Sequence, residues 1–237
     1  MKLEYVHKIL KKDEEFEIYN DDKETGIVIL SGQYLIDFVD DEMQVTGERK
    51  SVFDSDGHVI YVPRQYTGKI TAQSSYLELV IISTKAEKKL KPFIKQNGFH
   101  KEKRGNKEYK RTVVDLISEE DETDSLFIGE TFHIEGVWSG YPPHKHDREI
   151  MGQESCNEEV YFIKIRPTTK FGVFISYDGK SKKEARVVDD GDFIYVKKGY
   201  HSIVSVPECD FYYLWAASSK RKKFTYSVDS DFIQSRK

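Results

Sequence analysis

Cysteine is scarce in this chain: Cys156 and Cys209 are the only two in 237 residues. A disulfide-dense secreted scaffold is therefore excluded, the pair fits a reducing compartment, and no disulfide is expected between them. No run of 18 apolar residues occurs and the mean hydropathy is −0.62, so no membrane-spanning helix is expected. The opening stretch MKLEYVHKILKKDEEFE has no apolar core and does not read as a signal peptide, which points to a cytoplasmic protein. Positive charge is not in excess either. Lys and Arg number 37 against 41 Asp and Glu, a net charge of −4, which argues against a nucleic-acid partner.

What the chain does have is aromatic surface, with 15 Tyr and 14 Phe, enough to separate it from disordered sequences of similar polarity. Its length allows two domains of about 120 residues. The pattern is one of short strands. GIVILSG, YLIDFV, HVIYVP, KITA and YLELVIIS fill residues 26–83, and RTVVDLI, SLFIGETFHIEGVW, VYFIKI, FGVFISY, DFIYV, HSIVSV and DFYYLWAAS fill 111–218. Gly, Asp and Ser punctuate them at short intervals, so the expected fold class is all-β, a sandwich or barrel. Residues 86–96, AEKKLKPFIKQ, read as a helix interrupted by Pro92. Residues 97–110 read as a polar linker or solvated arm.

An internal repeat organises the chain. DGHVIYVPRQYTGKI from Asp56 resembles DGDFIYVKKGYHSIV from Asp190, which places Gly57 on Gly191, Tyr61 on Tyr195 and Tyr66 on Tyr200. Two copies of one β unit imply two tandem barrels packed as one rigid body. Residues 1–95 are expected to form the first barrel, without a His-x-His, and 96–237 the second, which carries one.

The chemistry concentrates in SGYPPHKHDREIMGQESCNEEVYFIKI. His144 and His146 are two apart, so on a strand both imidazoles share a face. On the next strand Glu158 and Glu159 fall on opposite faces, and only one of them can join the histidines. His201 follows the turn KKGY, where the first copy carries Thr67. Three imidazoles and a carboxylate suit one divalent metal, zinc first, with manganese or iron as alternatives. The bland alternative is a pair of surface histidines beside a Pro-Pro turn.

His-x-His, a glutamate on the next strand and a histidine after GDFIYVKKGYH together resemble the cupin pattern. GETFHIEGVWSGYPPHKHD, EEVYF, DGDFIYVKKGYH, DFYYL, KRTV and TGERKSVFD more closely resemble the 5-deoxy-glucuronate isomerase family of myo-inositol catabolism, whose members are bicupins. The resemblance covers about residues 26 to 215 and implies metal ligands at His144, His146, Glu159 and His201. It selects Glu159 over Glu158.

Departures from that pattern shape the functional expectation. A Gln-Arg pair of the isomerases falls on Phe174 and Ile175, the Pro before the Gly-Tyr-His turn is Lys197, and an Asn of the tryptophan motif is Val137. Loss of an arginine removes the best carboxylate partner. The resemblance then implies the divergent hydrolase branch, which opens the ring of 3-dehydro-scyllo-inosose, a neutral cyclic diketone, to 5-dehydro-L-gluconate. Tyr161 is the candidate general acid and Arg111 the candidate for orienting a substrate oxygen; core packing and bracing of the domain junction are their structural alternatives. The second reading is aldose–ketose isomerisation of 5-deoxy-glucuronate, and the third a non-catalytic sugar-binding cupin. The expected partner is a small cyclic polyol ketone or a sugar acid, with self-association left open.

Overall fold

The computed structural model describes residues 2–134, 136–179 and 182–233. The chain divides into two compact units, one of residues 1–100 with 116–128 and one of 101–115 with 129–237. Among the described residues nearly all regular structure is strand, as the short apolar runs require. Helix is limited to two 3-10 turns, Val39–Asp41 and Ser230–Phe232.

The first eight strands are β1 (Glu4–Lys11), β2 (Glu15–Asn20), β3 (Lys23–Phe38), β4 (Met43–Arg49), β5 (His58–Val62), β6 (Tyr66–Ala72), β7 (Tyr76–Lys85) and β8 (Phe93–Lys95). They form one sheet in the order β1-β7-β3-β5-β8, with β4 and β6 on the far half of β3 and β2 on β6. The long β3 makes this possible because it changes character midway. Thr25 to Leu30 are buried without interruption, whereas Tyr34, Ile36 and Phe38 alternate with less buried neighbours. Gly32, at φ +106°, sits at the change. A Cβ there would strike the Tyr76 carbonyl, so only glycine serves. Ile27, Ile29, Ile36, Ile60, Ile70 and Leu79 join Tyr34 and Phe38 in the core of this unit.

Two expectations fail here. Residues 86–96 are not helical: Phe93–Lys95 pair with Val59–Tyr61, and the Phe93 ring stacks on Tyr61 at 4.9 Å. Pro92 removes a donor and blocks the preceding turn, so Phe93 and Ile94 find burial on a sheet edge instead. Residues 97–110 are not a bare arm, since His100–Arg104 form a strand (β9) at one edge of a sheet. Its run of Lys and Arg suits an exposed edge.

Residues 116–128 count with the first unit although they follow residues 101–115 of the second. Glu24 shows why. It is fully buried on β3, and its Oε1 accepts from Ser125 N (2.7 Å), Ser125 Oγ (2.8 Å) and Leu126 N (3.0 Å). Its Oε2 accepts from Asp124 N (2.8 Å) and Tyr61 Oη (2.7 Å). Five donors replace water around one buried carboxylate.

The remaining strands are β10 (Arg111–Ile117), β11 (Leu126–Ile134), β12 (Trp138–Lys145), β13 (Asn157–Arg166), β14 (Gly172–Tyr177), β15 (Glu184–Val188), β16 (Phe193–Val196), β17 (Tyr200–Ser205), β18 (Asp210–Ser219) and β19 (Ser227–Val228). One sheet runs β16-β13-β18-β11-β10-β9 and the other β15-β14-β17-β12-β19. Tyr161, Ile163 and Ile165 on one face of β13 meet Phe174, Ile203 and Tyr213 in a shared core, so the two sheets face each other.

Two outcomes test the first unit. Glu24→Gln leaves a buried amide donor facing N–H and O–H donors, so it should lower stability by about 3 kcal/mol in urea unfolding. A change below about 0.5 kcal/mol would show that the carboxylate is not the tie. His58 is held down to about 4 by burial, then by the Arg49 charge. A depressed histidine keeps the native state short of a proton, so stability should fall as pH drops from about 6.5 to 4. The shift corresponds to roughly 3 kcal/mol, and His58→Gln should flatten that slope in acid-unfolding curves.

Candidate metal centre

Three imidazoles are brought together by local backbone geometry. His144 on β12 and His201 on β17 are directly opposed across the ladder, their ring centroids 4.6 Å apart. His146 lies just past the end of β12, where its carbonyl accepts from Asn157 N at 2.9 Å. The turn before His201 depends on Gly199, at φ +85°, where a Cβ would meet the Tyr177 carbonyl. One ring nitrogen from each of the three histidines lies within 4.8 Å of the others.

The tautomers follow from the partners. His144 Nδ1 faces Gly140 O at 3.3 Å, His146 Nδ1 faces Asn157 O at 3.1 Å, and His201 Nδ1 faces Gly199 O at 3.2 Å. A carbonyl only accepts, so all three Nδ1 atoms carry hydrogen and donate. In the neutral rings each Nε2 is then a bare lone pair. Glu159 Oε2, another acceptor, lies 2.9 Å from His146 Nε2 and 3.4 Å from His201 Nε2. His201 Nε2 is buried and makes no hydrogen bond among the described residues. Buried acceptors turned on one another repel unless a cation or proton lies among them. The three histidines can therefore hold a metal ion, with the Glu159 carboxylate beside them.

Strand parity places the carboxylate as the face argument requires. Glu159 is buried on the core side of β13, and Glu158 is half-buried on the other. Burial alone would raise the Glu159 pKa, but when His146 is protonated its charge, and the hydrogen bond its Nε2–H then donates, outweigh burial and hold Glu159 well below the usual carboxylate range. Burial likewise opposes protonation of His146, yet Glu159 raises it. His144 is pushed down to about 3 by burial, then by the charges of His201 and His146.

A buried ionic cluster holds the loop between these residues. Lys145 points away from the imidazoles, and its Nζ donates to Asp147 Oδ1 (2.7 Å) and Glu154 Oε1 (3.1 Å). Glu154 Oε1 also accepts from Asp147 N and Arg148 N, both at 2.9 Å. Asp147 Oδ2 accepts from Gly199 N at 2.8 Å. One carboxylate thus links the residue after His146 to the turn whose carbonyl orients His201.

The sequence did not single out the carboxy-terminal aromatics. β19 pairs with His144 and Lys145, which lays the Tyr226 ring 4.8 Å from His144 and the Phe224 ring 5.4 Å from His146. Asp229 fastens this segment by accepting from Tyr177 Oη at 2.6 Å. Their only sequence signal is an aromatic pair, Phe224 and Tyr226, at strand spacing. Tyr161 shares the Glu159 face of β13, its ring 6.2 Å from His201 and 4.9 Å from Tyr213. Burial raises its pKa, the Glu159 and Tyr213 charges add to this, and Arg111 opposes them. Arg111, first on β10, donates to Tyr109 O at 3.2 Å. Its charge also reaches Tyr213 and the buried His133, which burial holds down to about 3. Both cysteines are free, and among the described residues no helix is long and apolar enough to cross a membrane.

Asp147→Asn should weaken metal binding by about tenfold to a hundredfold while the fold survives, because it loosens both the loop and the His201 turn. Titration of apoprotein with divalent metals, followed by calorimetry, reads this directly. Unchanged affinity would make the ionic cluster a matter of folding alone.

Comparison with known proteins places this geometry. The chain is 31% identical over 233 residues to the 5-deoxy-glucuronate isomerase of Geobacillus kaustophilus, covering 97% of this chain and 84% of that one. It is 32% identical over 221 residues to that of Geobacillus thermodenitrificans, covering 91% and 80%. An IolB-like protein of Salmonella typhimurium LT2 superposes with a TM-score of 0.92 at 26% identity, over 98% of this chain and 89% of that one. Bacillus subtilis oxalate decarboxylase, a bicupin, shares the fold at a TM-score of 0.66 and 11% identity, over 95% and 70%. The all-β bicupin architecture stands. The ring-opening hydrolase does not, because these curated relatives are isomerases along most of their length. Phe174 turns into the core against His201, so Ile175 faces the other side, and β14 sets one apolar residue by the site rather than two. With the description KduI/IolB family matched from residue 3 to 234, the chain belongs to the KduI/IolB family.

Proposed function

We propose that the protein is a metal-dependent aldose–ketose isomerase acting on a sugar acid of the 5-deoxy-glucuronate class. The observation that carries this reading is the convergence of His144, His146 and His201 lone pairs beside Glu159, and the isomerase names of the relatives support it. His144, His146, Glu159 and His201 would hold one divalent ion; the donor set suits zinc, and manganese or iron equally. When bound, that ion supplies a Lewis acid beside the reacting carbonyl and hydroxyl oxygens.

The reaction moves two hydrogens and consumes nothing. The C2 hydrogen leaves as a proton and returns at C1, while the O2 hydroxyl proton ends on O1, through an enediol. Tyr161 stays protonated at neutral pH because its pKa is raised, so it serves as a donor to the oxygen that gains charge, not as the base. Arg111, whose charge reaches Tyr161, would orient a substrate oxygen. Phe224 and Tyr226 cover His146 and His144 and keep water from the enediol.

Three readouts test the reading. In deuterated water the ketose product should gain deuterium at C1, and in heavy-oxygen water no label should enter its carboxylate. Glu159→Gln should lose metal and about a hundredfold or more of turnover, while Glu158→Gln keeps both. Heavy oxygen in a carboxylate, or metal loss in Glu158→Gln alone, would refute it.

A further inference from the structure

A cavity of about 290 Å³ in the second unit is lined by residues of β14, β15 and β16 and of the segments that follow β14 and β16. Phe174 and Ser176 form one wall and Val196 another. Ser176 is the ladder partner of His201, and Val196 is the ladder partner of Glu159. The Phe174 ring also lies 6.2 Å from the His201 ring, nearly parallel to it. The cavity is thus walled by the immediate strand neighbours of two residues of the cluster. Its volume is close to the roughly 300 Å³ at which small-molecule sites begin, the scale of one six-carbon acid.

Its charge is uneven. Lys182, Lys197 and Lys198 line it with Asp178 and Glu184, so the cations exceed the acids by one. Lys198 is matched, its Nζ 3.7 Å from Asp178 Oδ2. Lys197 has no ion-pair or hydrogen-bond partner among the described residues. It stands where β16 ends, one residue from Val196 and two before Gly199, whose carbonyl orients His201. A flexible ammonium at the rim of a partly apolar cavity is a counter-ion for an anion that enters it.

We infer that this cavity receives the carboxylate end of the substrate, with Lys197 as its counter-ion, while the other end of the molecule reaches the histidine cluster. This rests on the isomerase reading above and adds to it the group that selects acids over neutral sugars. Phe174 offers the apolar wall along which the carbon chain lies. Ser176, beside it on the same face, offers a hydroxyl to the chain's oxygens.

The experiment compares two substrates on the metal-loaded protein: 5-deoxy-glucuronate, and the neutral aldose in which its carboxylate is reduced to a hydroxymethyl group. Lys197→Gln should raise KM for the acid roughly tenfold, leave kcat and metal content unchanged, and leave the neutral aldose unaffected. Lys197→Arg should restore most of the loss. A wild-type protein that turns over the acid while Lys197→Gln keeps its KM would remove the subsite and leave the isomerase intact. So would loss of acid preference in Arg111→Gln instead of Lys197→Gln. A wild-type protein that isomerises neither substrate would remove both readings.

Discussion

Three backbone carbonyls govern the functional half of this molecule. Gly140, Asn157 and Gly199 each accept from an Nδ1, which fixes the tautomer of His144, His146 and His201. Once those hydrogens are committed, three Nε2 lone pairs and the Glu159 carboxylate are left facing each other inside the protein. Such an arrangement is unfavourable by itself and favourable around a cation. Everything nearby serves to hold it. The sheets supply His144, His201 and Glu159 from opposed strands, and the loop 147–156 carries the chain from His146 back to β13.

Two features protect that arrangement from different sides. The ionic cluster of Lys145, Asp147 and Glu154 lies behind the histidines and joins two turns through backbone donors. The segment from Phe224 to Asp229 lies over them, pinned by Tyr177 and by the Pro143 carbonyl. A lysine between two histidines of the cluster can be buried because strand alternation turns it to the opposite face, where two carboxylates meet it. The same alternation leaves Phe174 alone of the Phe174–Ile175 pair beside the histidines.

Much of this was legible in the residues. Short β-branched and aromatic runs with turn residues between them announce strands, and the period of two separates Glu159 from Glu158. His-x-His and the later histidine single out by residue type the three imidazoles that the fold brings together. The misreadings have local causes. Residues 86–96 carry helix-forming lysines, but burial of Phe93 against Tyr61 outweighs that weak preference. Residues 97–110 look solvated because an edge strand exposes most of its side chains.

The sequence by itself determined the all-β class, the shared face of His144 and His146 and the opposite faces of Glu158 and Glu159, because each follows from the spacing of side chains along a strand. Only the tertiary structure decided the rest. The carbonyls that set the tautomers, the aromatic cover from Phe224 and Tyr226, the Glu24 tie to residues 124–126 and the cavity beside Lys197 all join residues far apart in the chain. The Glu24 contacts span about a hundred positions. No periodicity in the sequence encodes such pairs, since they depend on which strands become neighbours and in what register.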